Sequence, residues 1–505
     1  MASTLMSSLP PRLRVHDDPL DLAALERAAA PLQVQIDRCV LDRVGECHRF
    51  LARYLADGRP VYGATTGFGP LVIYAGRDDT AGQCDNTLAH LGAGQGPDLD
   101  PAVVRAAVLV RLWSLTRGRS GVSPHVVEAL AACLGTGFAP AVPTLGSLGA
   151  SGDLIPLAYV ARALRGDGHA YLGGARLPAA QALERAGLTP LELDGRDALA
   201  LVNGTSVTTA AAGLAVRRLA RSCSAALRLS ALLADLLGCG SAHLDAALLA
   251  AFGHPDAERA GAMLRELLTG MVPSGTRALQ EPYSIRCVPQ LTGAAGSAIG
   301  YAEQVVRNDL GGISDNPLLF SEHDTVVHGG NFFGQPVAFA ADLLSIAATQ
   351  LGNLAERQLD LLIDPHRNGG LPPMLAPDPG RQHAIQGVQL AATSMVATMR
   401  RAANPASVQS LPTNWHNQDV VPFGTQAALN ALDQAALLRL LHGSLAVALR
   451  QAAHVSDRAP TAPACRRLLD RLRALIPPID PDRPLDEAVR RAADLLDDPD
   501  SPDTP

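Results

Sequence analysis

The sequence predicts a mainly α-helical protein: a long-helix bundle joined to a loop-rich N-terminal region. Three observations carry that expectation. Ala and Leu dominate, while aromatic residues make up only 4% of the 505 positions, which favours helices over sheets. Apolar residues recur at helical spacing over long windows of the second half. Alternating, strand-like patterns are scarce.

Taken in order, residues 1–20 mix Pro, Arg and Asp with short apolar pieces and read as a loose arm. From 21 to 195, helical patterns are broken by Gly-rich loops around 58–70, 92–100, 117–124 and 136–153, giving an N-terminal domain of helices and loops. A central bundle is expected over 196–464. Its first stretch, 197–237, carries an apolar stripe through Leu219, Ser222, Cys223, Ala226, Leu229, Leu233 and Leu236 and stops at Gly238. Further helical stretches cover 292–311, 334–362, 379–402 and 418–454. In the second of these, Leu343, Ile346, Ala347, Leu351 and Leu354 share one face. Ala-rich faces let such helices pack closely in several layers. Residues 465–496 read as two short helices separated by Ile476-Pro477-Pro478, and the acidic, Pro-rich tail 497–505 as disordered.

Composition narrows the function. A hydrophobic fraction of 47% suits a substantial core, and a net charge of −7 gives no reason to expect nucleic acid or an anionic membrane as partner. No uninterrupted apolar run approaches the ~18–20 residues of a membrane span. The first residues lack the apolar core of a signal peptide, so the expected location is cytoplasmic. The eight cysteines are scattered without a Cys-x-x-Cys pair, so neither a zinc site nor a disulfide framework is indicated.

Residues 146–157 read Gly-Ser-Leu-Gly-Ala-Ser-Gly-Asp-Leu-Ile-Pro-Leu. Gly152 has no side chain, so its amide nitrogen can approach the Ala150 carbonyl closely. Ala150 adds little bulk there, and Ser151 can lose its hydroxyl as water. The product of that cyclisation is a methylidene-imidazolone (MIO), an electrophile of a kind that side chains do not supply. Small residues before a helix also read as a plain turn, with Asp153 or Ser151 as N-cap and Pro156 in the first turn.

Other segments carry candidate chemistry beside a bland alternative. Val61-Tyr62-Gly63-Ala64-Thr65-Thr66-Gly67-Phe68-Gly69 is a Gly-spaced loop without the pattern of a phosphate cradle, and reads as a lid or a turn. Arg286, in Gln280-Glu281-Pro282-Tyr283-Ser284-Ile285-Arg286-Cys287, can hold a carboxylate through two parallel hydrogen bonds or form a surface ion pair. Asn203-Gly204-Thr205 should break the helix that contains it. Ser314-Asp315-Asn316-Pro317 reads as a turn. Phe332, in His328-Gly329-Gly330-Asn331-Phe332-Phe333-Gly334, reads as packing.

The stretch Val142–Ala158 resembles the signature of the aromatic amino acid ammonia-lyase family, and further matches run along nearly the whole chain. The resemblance implies the helical fold of that superfamily and an MIO made from Ala150, Ser151 and Gly152, with no metal and no exogenous organic cofactor. It implies that Tyr62 is the general base, in a loop that brings Gly69 to the substrate, and that Asn203 lies against the MIO ring. It implies that Gln280, Tyr283 and Arg286 face the substrate, with Tyr283 catalytic, and that Asn316 and Phe332 line its pocket. Glu281 departs from the Asp usual in the family, a change expected to be tolerated. His90-Leu91 resembles the selectivity pair of tyrosine ammonia-lyases, where His can hydrogen-bond a para-hydroxyl. Asn417 and Gln418, in His416-Asn417-Gln418-Asp419-Val420, resemble the tyrosine and phenylalanine enzymes; histidine ammonia-lyases usually carry Glu at Gln418. Trp415 is unusual beside them.

A phenol ionises near ~10, so Tyr62 needs positive potential nearby and the expected pH optimum is alkaline. The resemblance implies conversion of L-tyrosine to trans-p-coumarate and ammonia, with L-phenylalanine giving trans-cinnamate. It also implies a homotetramer with shared active sites and an inactive monomer. The rivals are a tyrosine 2,3-aminomutase using the same residues, a histidine ammonia-lyase, and an inactive helical scaffold.

Overall fold

The computed structural model of the protein describes residues 11–498. The expected loose arm lies partly outside them; within them, Arg12–Val15 forms a strand paired in parallel with Gln33–Ile36. The tail beyond Asp498 also lies outside the described residues.

The chain forms two compact units, each assembled from three stretches of sequence. Unit 1 comprises 1–214, 303–341 and 405–429, and unit 2 comprises 215–302, 342–404 and 430–505. The sequence reading divides the chain into consecutive blocks instead. The long helices explain the difference, because Ser206–Leu237, Gln335–Ile363 and Gly424–Val455 each contribute their first turns to unit 1 and the rest to unit 2.

In unit 1 the helix Pro101–Leu115 is buried on nearly every side. Two arginines on it are also buried, and the backbone satisfies them. Arg105 donates to the carbonyls of Ala28, Ala30, Leu134 and Phe138, and Arg111 to those of Ala200 and Ser314. A guanidinium has five donors in a rigid fork, so one side chain can tie several loop carbonyls that no helix or sheet satisfies. The small sheets of the described residues all lie in this unit. One hairpin, Leu318–Phe320 with Thr325–Val327, sets the entry to the Gly-rich turn at 328–334.

Unit 2 is helical. Gln358 bridges the Ser230 hydroxyl and the Ser284 carbonyl, and Asp235 accepts the backbone N–H groups of Thr461 and Ala462. Val288–Gly311, Pro463–Leu475 and Asp486–Asp497 are helices where periodicity expects them, whereas Gln386–Ala402 and Gly424–Val455 start seven and six residues later than expected, after loops.

The stretch 197–237 breaks as expected. Asp197–Val202 ends at Asn203, whose ψ of 76° is not helical, and a new helix starts at Ser206. Asp197–Leu237 taken across its break, Gln335–Ile363 and Gly424–Val455 reach the length and mean hydropathy of a membrane span, although polar residues interrupt their apolar runs. Their most apolar windows are 100%, 72% and 72% buried within the protein, so this apolarity is used in packing.

Candidate active site

The site is a cavity of about 840 Å³ in unit 1, lined by loops that meet at the Ala150-Ser151-Gly152 turn. Gly152 has φ +70°, and a Cβ there would lie 2.5 Å from the Gly204 nitrogen, so only glycine fits. Its N–H donates to the Phe332 carbonyl at 2.9 Å, and the next N–H, of Asp153, donates to the Gly204 carbonyl at 2.7 Å. The break at 203–205 is therefore what lets the turn seat against backbone.

Asp153 is fully buried. The sequence reading makes it, or Ser151, the N-cap of its own helix, Leu154–Leu164, but that helix has no side-chain cap. Asp153 instead caps Ser206–Leu237, accepting the N–H groups of Val207 and Thr208 at 2.8 and 2.9 Å. The hydroxyls of Ser147, Thr208 and Thr425 surround its other oxygen at 2.8 Å. The free N–H groups of that helix's first turn, with the hydroxyls beside them, satisfy the buried carboxylate.

Tyr62 lines the cavity from the Gly-spaced loop. Its phenol oxygen accepts the Gly69 N–H at 2.7 Å, and its own N–H donates to His328 Nε2 at 3.2 Å. Burial raises the phenol above its ordinary pKa; the Gly69 N–H and the Arg196 guanidinium pull the other way without reversing it. Burial, with Arg196 adding to it, lowers the His328 pKa, which keeps the ring neutral and its Nε2 able to accept. Arg196 is itself buried, paired with both oxygens of Asp315, and donates to the Asn316 carbonyl at 2.7 Å. Asn203 donates to that same carbonyl at 2.8 Å, so both asparagines are fixed at the wall.

His90 ends the helix Thr80–His90, with Leu91 beside it, and both line the cavity. The imidazole stacks on Phe68 with ring centres 5.9 Å apart, and its Nδ1 lies 3.0 Å from the Asn86 carbonyl. A carbonyl only accepts, so Nδ1 carries the hydrogen and Nε2 is left as an acceptor.

Asn417 and Gln418 reach the cavity from a loop closed by two Thr413–Gln418 backbone hydrogen bonds. Asn414, Trp415 and His416 at its tip have φ of +51°, +53° and +62°. The Gln418 amide nitrogen donates to the Ser151 hydroxyl at 2.5 Å. Trp415 does not line the cavity; it is 76% exposed.

The cavity thus brings together Ala150, Ser151, Gly152, Tyr62, Gly69 and His90 with Leu91, Asn203, Asn316, Phe332, Asn417 and Gln418. Gln280, Tyr283 and Arg286 belong to unit 2 and are not in its lining. Gln280 and Tyr283 are exposed, and the Arg286 guanidinium sits over the Tyr283 ring, 4.7 Å from its centre. Glu281, the departure from Asp, forms a two-pronged ion pair with Arg277. Burial opposes its charge, but Arg277 holds the carboxyl below its ordinary pKa.

Sequence reasoning missed Asp153 as an anchor, His328 as the partner of the Tyr62 backbone, and Arg77, which also lines the cavity. Only the adjacency of Asp153 to the tripeptide was a signal; the other two depend on how loops meet. Among the described residues, no group of three or more His, Cys, Asp or Glu is placed to hold a metal.

Residues 20–474 match the family model for aromatic amino acid lyases. A histidine ammonia-lyase from Geobacillus kaustophilus is 38% identical over 447 residues, 88% of each chain. A tyrosine ammonia-lyase from Cereibacter sphaeroides is 38% identical over 486 residues, 91% of each chain. Among solved structures, a tyrosine aminomutase from Streptomyces globisporus matches with a TM-score of 0.90 and 32% identity, over 96% of this chain and 97% of that one.

Proposed function

The chain belongs to the aromatic amino acid lyase family and is a carbon–nitrogen lyase, and from that premise we propose that it converts L-tyrosine to trans-p-coumarate and ammonia. L-Phenylalanine is the weaker substrate, giving trans-cinnamate. The observation that carries the choice is His90: with Nδ1 held by the Asn86 carbonyl, Nε2 offers an acceptor to a para-hydroxyl. Phenylalanine lacks that donor. Gln418 leaves this position uncharged, without the carboxylate that would favour an imidazole.

The chemical problem is a leaving amine beside a carboxylate and a β-proton of low acidity. Ala150-Ser151-Gly152 fits a cyclised electrophile, since Gly152 is held at φ +70° hard against Gly204 and Ala150 is buried. Once formed, MIO supplies the electrophile that turns the amine into a better leaving group. Tyr62 takes the β-proton on its phenolate oxygen, which the Gly69 N–H stabilises. Asn203 and Asn316 shape the wall beside the tripeptide, and Phe332 packs against the substrate.

Arg286 holds the substrate carboxylate, and Gln280 and Tyr283 act beside it. These three come from another copy of the chain in a homotetramer. The exposure of Gln280 and Tyr283, and the absence of all three from the cavity of their own chain, support this arrangement.

The match to a tyrosine aminomutase favours a second reading, re-addition of ammonia at the β-carbon by the same residues. Incubation with L-tyrosine, L-phenylalanine and L-histidine, with products resolved by chromatography, separates them. p-Coumarate with free ammonia is expected. β-Tyrosine as the main product establishes the mutase, and urocanate alone overturns the roles given to His90 and Gln418.

A further inference from the structure

We propose that Gln418 serves the protein's own maturation, as the donor that assists departure of the Ser151 hydroxyl. This rests on the reading that Ala150-Ser151-Gly152 cyclises. The observation beneath it is the Gln418 Nε2–H bond to Ser151 Oγ at 2.5 Å. That oxygen is absent from the finished ring, so a contact made to it in the uncyclised chain acts on the leaving group itself.

Two waters must go. In the first loss, the Gly152 nitrogen bonds to the Ala150 carbonyl carbon. That carbon's oxygen leaves as water with the hydrogen of the Gly152 nitrogen and that of the Ser151 nitrogen, and the bond between the Ala150 carbon and the Ser151 nitrogen becomes double. In the second, the proton on Ser151 Cα is removed and its C–H electron pair becomes the Cα=Cβ bond. The Cβ–Oγ bond breaks, and the departing hydroxide combines with a proton to make the second water. Hydroxide is a poor leaving group because charge collects on oxygen as the bond breaks. A fixed donor aimed at that oxygen stabilises the charge where it develops. The Gln418 amide does so while keeping its own proton.

The donor is held in place from both sides. Thr413 and Gln418 exchange backbone hydrogen bonds at 3.0 and 3.3 Å, and the left-handed run Asn414–His416 closes the loop between them. The acceptor is held as well, because the N–H groups of Gly152 and Asp153 bind the Phe332 and Gly204 carbonyls. Neither partner has to search for the other when the hydroxyl departs.

The test follows intact mass with time after synthesis for the wild type, Gln418→Leu and Gln418→Glu, with circular dichroism as the control for folding. The wild type should lose the mass of two waters. Gln418→Leu should accumulate protein short of one water or none, maturing roughly a hundredfold more slowly. Gln418→Glu has the same length and donates only when protonated, so its maturation should quicken toward acid pH, a trend the wild type lacks. If Gln418→Leu fails to fold, the pH trend of the Glu variant decides. Maturation of either variant at the wild-type rate at every pH overturns the role of Gln418. A wild type that loses no water overturns the cyclisation reading beneath it.

Discussion

The carboxylate of Asp153 caps a helix other than its own: one oxygen accepts the backbone N–H of Thr208 at 2.9 Å, while the other faces the Thr208 hydroxyl at 2.8 Å. The residue next to the tripeptide is thus bound to the first turn of Ser206–Leu237 by backbone and side chain together. Asp153→Ala would leave two helix-end N–H groups and three hydroxyls without that acceptor. The expected cost is about 3 kcal/mol, read as a lowered melting temperature. Asp153→Asn, which keeps one acceptor oxygen, should lose less.

On the proposed reading, substrate choice follows from the His90 tautomer. His90→Leu removes the Nε2 acceptor but leaves an apolar wall against Phe68. The ratio of kcat/KM for tyrosine over phenylalanine should fall by about ten- to a hundredfold, the worth of one hydrogen bond to the substrate hydroxyl. Steady-state kinetics on both substrates measures it. An unchanged ratio would remove His90 from the recognition of the hydroxyl.

As the proposed base, Tyr62 must be deprotonated to act, and burial raises its pKa. Activity should therefore climb with pH, by about tenfold per unit below the phenol's pKa, and level off on the alkaline side. Tyr62→Phe should lose about a hundredfold or more while still losing the mass of two waters. Co-assembling Tyr62→Phe with Arg286→Ala should restore activity that neither has alone, because some mixed sites then hold both native residues. Failure of that mixture, with both variants tetrameric, would place Arg286 outside a shared site.

Away from the site, His442 is fully buried, and among the described residues neither ring nitrogen has a hydrogen-bond partner. Burial, reinforced by the charge of Arg228, pushes its pKa down to about 3. The unfolded chain takes that proton near ~6.5, so the unfolded state binds more protons as pH falls. Stability should drop below about pH 6.5, with this one residue contributing up to about 1.4 kcal/mol per pH unit. His442→Leu should flatten that part of a plot of melting temperature against pH.

Much of this architecture was legible because it is local. Asn203-Gly204 breaks a helix wherever it sits, and long Ala/Leu periodicities are helices in any arrangement. Ala150-Ser151-Gly152 by itself reads equally as a plain turn, and it is the longer stretch Val142–Ala158, through its resemblance to a family signature, that points to cyclisation. What was not legible depends on meetings between distant segments. Asp153 sits where an N-cap of the next helix belongs, yet its carboxylate meets the first turn of Ser206–Leu237 instead. Gln418 reads from sequence as a neutral pocket wall, yet its amide donates to Ser151. The parallel strand at Arg12–Val15 is set by its pairing with Gln33–Ile36 rather than by its own pattern. The division into two units escaped notice because each long helix belongs to both.

The make-up of unit 1 also sets an order in time. Ser151 leaves the ribosome early, but Gln418 lies 267 residues further on and Thr425 lies 272 residues beyond Asp153. At about 5–20 residues per second, that interval is roughly a quarter of a minute to a minute of translation. Throughout it the tripeptide has neither its amide donor nor the last hydroxyl around its neighbouring carboxylate. If Gln418 assists the dehydration as proposed, a nascent chain carries the serine intact until this segment has been made, and a truncated product ending before it matures only slowly.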